Sequence, residues 1–217
     1  MQPARIFEFK GTTLTVRYDV KRCIHAKECV HGLPQVFDPK KRPWIQPDEA
    51  DANELTAVIM RCPTGALHYS HTEVESAETT PDQNTLQVCK DGPLYLRGAL
   101  QLHNADGEIL MQENRVALCR CGKSANKPFC DNSHIDAGFH DEGALPQQTA
   151  TETPEDGPLK LTFLRNGPIL AQGGLTAHSA DNVRSCMHNK TALCRCGESG
   201  NKPYCDGTHN KIGFQAE

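Results

Sequence analysis

The sequence predicts an α+β chain of three small modules, and three observations carry that expectation. Apolar residues make up 37% and aromatic residues 6% of the 217, so the hydrophobic cores are thin. Two stretches rich in Thr, Glu, Pro and Gln, Ser70 to Gln83 and His140 to Gly157, lack hydrophobic periodicity and read as linkers. Eleven cysteines, most of them in two near-identical phrases, supply the staple that small thin cores need, either disulfides or a metal. The modules then span residues 1–72, 84–141 and 155–217.

Composition also narrows the setting. The opening MQPARIFEFKGTTLTVRYDV has no unbroken apolar run of an export signal. No segment approaches the roughly 20 apolar residues of a membrane span. The expectation is a reducing cytoplasm, where clustered cysteines bind metal rather than pair as disulfides. An odd cysteine count fits that expectation. Net charge is −4 with the basic residues scattered, which argues against nucleic acid and anionic membrane as partners.

The first module carries RCIHAKECVHGLPQVFD (Arg22 to Asp38) early and VIMRCPTGALHY (Val58 to Tyr69) late. A helix-like segment, DEADANELTAVIMRC, leads into Cys62-Pro63. Its cysteines run Cys23-x2-Ala26-x2-Cys29, so an alanine stands where a Cys-x2-Cys-x2-Cys run has its middle thiol.

The second and third modules repeat each other. Ala117 to Phe139 aligns with Ala192 to Phe214 at an offset of 75, with 15 of 23 positions identical. Upstream, GPLYLRG (Gly92 to Gly98) pairs with GPLKLTF (Gly157 to Phe163) at an offset of 65, which implies ten extra residues in the second copy around TAHSADNVRS. Leu94 and Leu96, like Leu159 and Leu161, alternate as in short strands. Both copies then read Cys-x-Cys, eight residues, Cys-x3-His. Cys119 and Cys121, or Cys194 and Cys196, point to one side of an extended segment and can clasp one iron. Cys130 and His134, or Cys205 and His209, have the spacing of one helix face. Asp131 is a candidate N-cap for that helix. Three thiolates and an imidazole are also a zinc set, although zinc fingers more often use a Cys-x2-Cys knuckle.

Both phrases, CRCGKSANKPFCDNSH and CRCGESGNKPYCDGTH, resemble the motif of the CDGSH iron–sulfur (NEET) domain. Ser124 and Pro128 in copy one, and Ser199 and Pro203 in copy two, meet its fixed positions. Asn132 replaces a glycine, and asparagine tolerates left-handed backbone better than most residues. The resemblance implies a [2Fe–2S] cluster on Cys119, Cys121, Cys130 and His134, and another on Cys194, Cys196, Cys205 and His209. Members commonly form intertwined dimers, so two copies in one chain imply a monomer packed as an internal pseudo-two-fold dimer. The first module, from about Tyr18 to Tyr69, resembles a divergent single-cluster 4Fe–4S ferredoxin. Cys23, Cys29 and Cys62 suit a [3Fe–4S] cluster; alternatively His25 completes a [4Fe–4S] set, or the module is a relic without a cluster.

Cys89 and Cys186 fall outside these sets and read as buried core thiols. No nucleophile elbow, phosphate loop or paired-carboxylate motif appears, so the chain is expected not to be an enzyme. The function this implies is electron transfer, or cluster storage and transfer, with a redox partner or an apo-protein acceptor. A histidine ligand makes a cluster less negative and hence easier to reduce than an all-cysteine one, and protons compete with iron for it. The alternative is a zinc-stapled interaction module without redox activity.

Overall fold

Leu14–Asp19 alternates buried and outward residues, and in the computed structural model it is the central strand of the first sheet. The structure describes residues 5–72, 78–147 and 153–216. The chain divides into two units, Gln2–Thr79 and Thr80–Glu217.

In the first unit, strands β1 (Ile6–Lys10), β2 (Leu14–Asp19) and β3 (Leu67–His71) form an antiparallel sheet in that order. Leu14, Val16 and Tyr18 of β2 face the core, as period two requires. The helix-like segment splits. Pro47–Glu49 is a 3-10 turn, and helix α2 (Ala52–Ile59) begins after Asp51, whose carboxylate accepts the Asn53 amide at 2.8 Å. A shorter helix, α1 (Glu28–Gly32), precedes it. Leu55, Val58 and Ile59 of α2 share one face and are buried with Phe37 and Ile45. Each such side chain contributes about 1.5–3 kcal/mol. Trp44 stacks edge-on against Tyr18, ring centroids 4.9 Å apart.

The second unit holds one six-stranded sheet made from both repeats: β4 (Thr85–Val88), β5 (Leu94–His103), β6 (Ile109–Leu118), β7 (Leu159–Phe163), β8 (Ile169–His178) and β9 (Ser185–Leu193). Within each repeat the pairings are antiparallel: β4–β5–β6 and β7–β8–β9. Between repeats they are parallel. β4 lies on β8 through Leu86↔Ala177, and β7 lies on β5 through Leu161↔Leu102. Adding 75 to Leu86 gives Leu161 and adding 75 to Leu102 gives Ala177, so the offset exchanges the two pairings. The bulges obey the same rule, Arg97/Leu100 in β5 and Gln172/Leu175 in β8. Gly98 and Gly173 supply the positive φ there, 137° and 112°. Leu86, Leu102, Leu161 and Ala177 sit in one core fed by both repeats.

This register corrects two sequence expectations. The repeats keep the offset of 75 along β4 to β9, with no ten-residue insertion. Gly-Pro followed by an apolar residue opens β5, β7 and β8 alike, and β8 rather than β7 is the counterpart of β5. The true counterpart of β7 is β4, which carries no such signal. The stretch His140 to Gly157 is also not all linker. Leu145 is buried in the shared core, and the Gly143 carbonyl accepts the Ala180 amide at 2.9 Å. Residues 73–77 and 148–152 of the two linker stretches lie outside the described residues. Among the described residues no helix is long and apolar enough to cross a membrane.

Candidate metal centres

Each repeat positions its four ligand candidates by folding the loop after its last strand back onto that strand. In the first, the Cys119 amide donates to the Pro128 carbonyl and the Cys130 amide to the Ala117 carbonyl, both 2.9 Å. The Leu118↔Phe129 bridge lies between them. In the second, Cys194 donates to Pro203 and Cys205 to Ala192, both at 2.8 Å, around Leu193↔Tyr204. Ser124 and Ser199 fasten each loop from inside, donating to the carbonyls of Phe129 (2.7 Å) and Tyr204 (2.6 Å).

The ligands meet in twos. Cys119 Sγ and Cys121 Sγ are 3.7 Å apart, as are Cys194 Sγ and Cys196 Sγ. Cys130 Sγ lies 3.5 Å from His134 Nδ1, and Cys205 Sγ 3.3 Å from His209 Nδ1. Two ligands on one tetrahedral metal, with bonds of about 2.3 Å to sulfur and 2.0 Å to nitrogen, stand roughly 3.5–3.8 Å apart. Each pair therefore fits one metal. Among the described residues no three His, Cys, Asp or Glu side chains converge on a single ion. A site of two metals, each held by two protein ligands, accommodates that division.

Backbone geometry supports the same sulfurs. Amides of Lys123, Asn132 and Gly207 approach the sulfurs of Cys121, Cys130 and Cys205, each at 3.4 Å. Asn132 and Gly207 adopt left-handed backbone, φ 70° and 86°, so the replaced glycine position keeps its conformation. Asn132, not Asp131, is the N-cap residue of the single-turn helix α3 (Ser133–Asp136), and Gly207 that of α4 (Thr208–Lys211). Asp131 instead ties the loop ends together, accepting the Ala125 amide at 2.8 Å and the Ser133 amide at 3.0 Å. Asp206 does the same with Gly200 and Thr208.

Burial and neighbouring thiols set the ionisation of the ligand candidates. Hydrogen bonding to Cys121 and burial drive the Cys119 thiol far up, while the donated proton lowers Cys121 to about 6. Burial pushes Cys130 up to about 12 and Cys196 up to about 11, and raises Cys205. Burial lowers His134, favouring the neutral imidazole that a metal requires. A bound metal cation would offset the burial that disfavours these thiolates.

Between each pair of cysteines sits a residue that sequence reading passed over. Arg120 and Arg195 are each 1% exposed. Arg120 donates to the carbonyls of Gly92 (3.0 Å) and Cys89 (2.5 Å), pairs with Asp141, and lies over the Phe139 ring. Arg195 donates to Gly167 (2.9 Å), Leu164 (2.6 Å) and Ala216 (3.3 Å) and lies over Phe214. Each guanidinium thus staples the strand-opening turn of its repeat to the residues after its α-helix. The available signal was an arginine in the same Cys-x-Cys gap of both copies. Burial pushes Arg195 below the usual guanidinium value, opposed by the Cys119 thiol of the other repeat.

In the first unit, Cys23, Cys29 and Cys62 line one cavity of about 600 Å³ with His25, Ala26, Tyr18 and Trp44. Cys23 follows a 3-10 turn (Val20–Arg22), Cys29 lies in α1, and Cys62 follows α2. Buried Arg22 ties two of these loops together by donating to the Thr64 carbonyl at 2.6 Å. Burial, then the Cys62 thiol, push Cys29 up to about 11. Burial works to raise Cys62, but hydrogen bonds from Thr64, Leu67 and Ala66 outweigh it and lower this thiol. His25 has left-handed backbone, φ 55°, and its Nδ1 stands 4.0 Å from Cys23 Sγ. Of the leftover cysteines, Cys186 is buried in the shared core, and Cys89 is half-buried with its thiol pushed up to about 11 by burial. His188 near Cys186 meets the Tyr204 hydroxyl at 2.7 Å.

Comparison with known proteins divides the chain the same way. A family model described as "Divergent 4Fe-4S mono-cluster" matches residues 9–72. One described as "Iron-binding zinc finger CDGSH type" matches twice, at 91–135 and 166–210, an offset of 75. The uncharacterized protein YjdI of Escherichia coli K12 is 40% identical over 63 residues, covering 29% of this chain and 83% of that protein; YjdI of E. coli O157:H7 matches equally. Variant-specific surface protein VSP4A1 of Giardia intestinalis is 27% identical over 97 residues, 43% of this chain and 12% of its own length. No solved structure matches.

Proposed function

We propose, for a chain that belongs to the divergent 4Fe-4S mono-cluster family in its first module and to the CDGSH iron-binding family in its two repeats, the role of a three-centre electron carrier. It is an iron–sulfur protein. The repeats hold [2Fe–2S] clusters on Cys119, Cys121, Cys130 and His134, and on Cys194, Cys196, Cys205 and His209. The observation that carries this reading is the division of each set into a Cys–Cys pair and a Cys–His pair, each spaced for one metal.

A bound iron–sulfur cluster supplies one-electron carriage, and the protein residues set how easily it is reduced. Here the amides of Lys123, Asn132 and Gly207 lie against ligand sulfurs and favour the added negative charge. His134 and His209 are only partly buried, as is Cys205, so solvent reaches the Cys–His side of each site. That exposure favours a second use of the same sites, release of the cluster to an apo-protein. The partners are accordingly a redox protein or a cluster acceptor, met by a single chain in the cytoplasm, with no substrate turned over.

The parallel β4–β8 and β7–β5 pairings support reading the repeats as an intramolecular pseudo-dimer. In the first module we assign Cys23, Cys29 and Cys62 to a [3Fe–4S] cluster. Ligands of one cubane spread over separate corners, whereas His25 stands close to Cys23 and Ala26 offers no donor. The test is EPR and visible absorption of anaerobically purified full chain during stepwise reduction. Reducible signals from both repeats support the carrier; colourless protein containing zinc contradicts it.

A further inference from the structure

The near-perfect two-fold register of the repeats makes their differences informative. Position by position at the offset of 75, the ligands, the buried arginine and the loop-closing aspartate are the same. The charges around them are not. Asp141, which pairs with Arg120, has as its counterpart Ala216, whose side chain carries no charge. Asp91 accepts the Asp141 amide at 2.7 Å, whereas Asn166 accepts the Ala216 amide at 2.9 Å, keeping the bond and dropping the charge. Asp136, two residues beyond His134 in exposed α3, is replaced by Lys211 in exposed α4. Two pairs run the other way, Lys123 against Glu198, both exposed, and Arg97 against Gln172. Over the matched stretches, 90–142 has six basic and eight acidic residues, and 165–217 has six basic and four acidic.

Reduction adds one negative charge to a cluster. A negative surround opposes that charge and a positive one favours it, over a range of about 10 Å at 0.1 M salt. Ligand types match between the two sites; amides of Lys123 and Asn132 approach ligand sulfur at the first and that of Gly207 at the second, while the net charges of the matched stretches, −2 and +2, differ by four.

We infer that the two repeat sites are inequivalent carriers, the second holding its cluster at the more positive potential, so that an electron entering the pair comes to rest at Cys194, Cys196, Cys205 and His209. One electron leaves the first site and one arrives at the second; no bond forms or breaks and no proton is needed. The inference rests on the proposed [2Fe–2S] assignment of both repeats.

An EPR-followed redox titration of the anaerobic full chain at low ionic strength tests it. The repeats should reduce in two separate steps. Cys205→Ala should remove the step at higher potential, and Cys130→Ala the one at lower potential. The double variant Asp136→Lys with Lys211→Asp, both at exposed sites, should bring the steps together, as should added salt. A single merged step in the unaltered protein, a reversed order, or steps unmoved by the charge exchange overturns the inference. Iron and sulfide assays on the same samples separate this from failure of the assignment: if neither cysteine variant lowers them, the ligand reading falls and the inference with it. Should a cysteine variant fail to fold, the charge exchange alone decides.

Discussion

Gly122 and Cys196 touch backbone to backbone across the two repeats. A Cβ on Gly122 would strike the Cys196 carbonyl oxygen, and one on Gly197 would lie 2.6 Å from that of Cys121. The contact is reciprocal, as at a two-fold axis, and each partner is a proposed ligand of the opposite cluster. The metal loops of the two repeats therefore brace one another.

Gly122→Ala should damage the second site as well as the first. The residue has φ 76°, where a Cβ alone costs about 1–2 kcal/mol, and the blocked carbonyl belongs to Cys196. Gly197→Ala, at φ 90°, should mirror it. Iron assays combined with Cys205→Ala or Cys130→Ala report each site alone. Loss confined to the mutated repeat would contradict the mutual bracing.

Replacing Arg120 by Met should destabilise the second unit by about 3–5 kcal/mol, the cost of stranding the partner of a buried ion pair. The carbonyls of Gly92 and Cys89 lose their donor at the same time. Arg120→Lys should recover only part, because an ammonium lacks the planar fork that reaches all three acceptors. Denaturant unfolding of the full chain, read as midpoint at constant slope, measures both.

Asp131 and Asp206 give the loops an acid limit. Burial works to raise Asp131, but hydrogen bonds from Ser133 and Ala125 outweigh it and hold the carboxyl below its usual range. Backbone and side-chain bonds from Thr208, with the Gly200 amide, hold Asp206 lower still. A carboxylate lowered by folding contributes stability that is present above its unfolded pKa, about 3.9, and is lost as pH falls through the folded value. Asp131→Ala and Asp206→Ala should therefore lose iron to a chelator faster than unaltered protein at neutral pH. The difference should narrow below about pH 4. Equal rates at neutral pH would show that these carboxylates do not secure the loops.

For the first module, a [3Fe–4S] centre on Cys23, Cys29 and Cys62 gives an EPR signal in the oxidised state. Oxidised protein that is silent there and gains a signal only on reduction would favour [4Fe–4S] and make His25 the fourth ligand.

The pairing of the ligand candidates was legible in the sequence because its constraints are local. Cys-x-Cys and Cys-x3-His fix which side chains meet within a few residues, and Asn132 announced its left-handed backbone. The strand exchange was not legible, since parallel pairing such as Leu86↔Ala177 joins residues far apart in sequence, and nothing local specifies it. β4 escaped because four residues carry too little periodicity, and its absence left Gly157 free to pose as the counterpart of Gly92. Arg120 and Arg195 escaped because a charged side chain reads as surface until its acceptors are seen.

The most direct test of the account is the iron and acid-labile sulfide content of Cys130→Ser combined with Cys205→Ser, set against unaltered protein, both purified anaerobically. The account predicts that iron and sulfide fall by equal amounts, while the signal of the first module persists. Unchanged iron and sulfide, or zinc in the repeats of the unaltered protein, would contradict it.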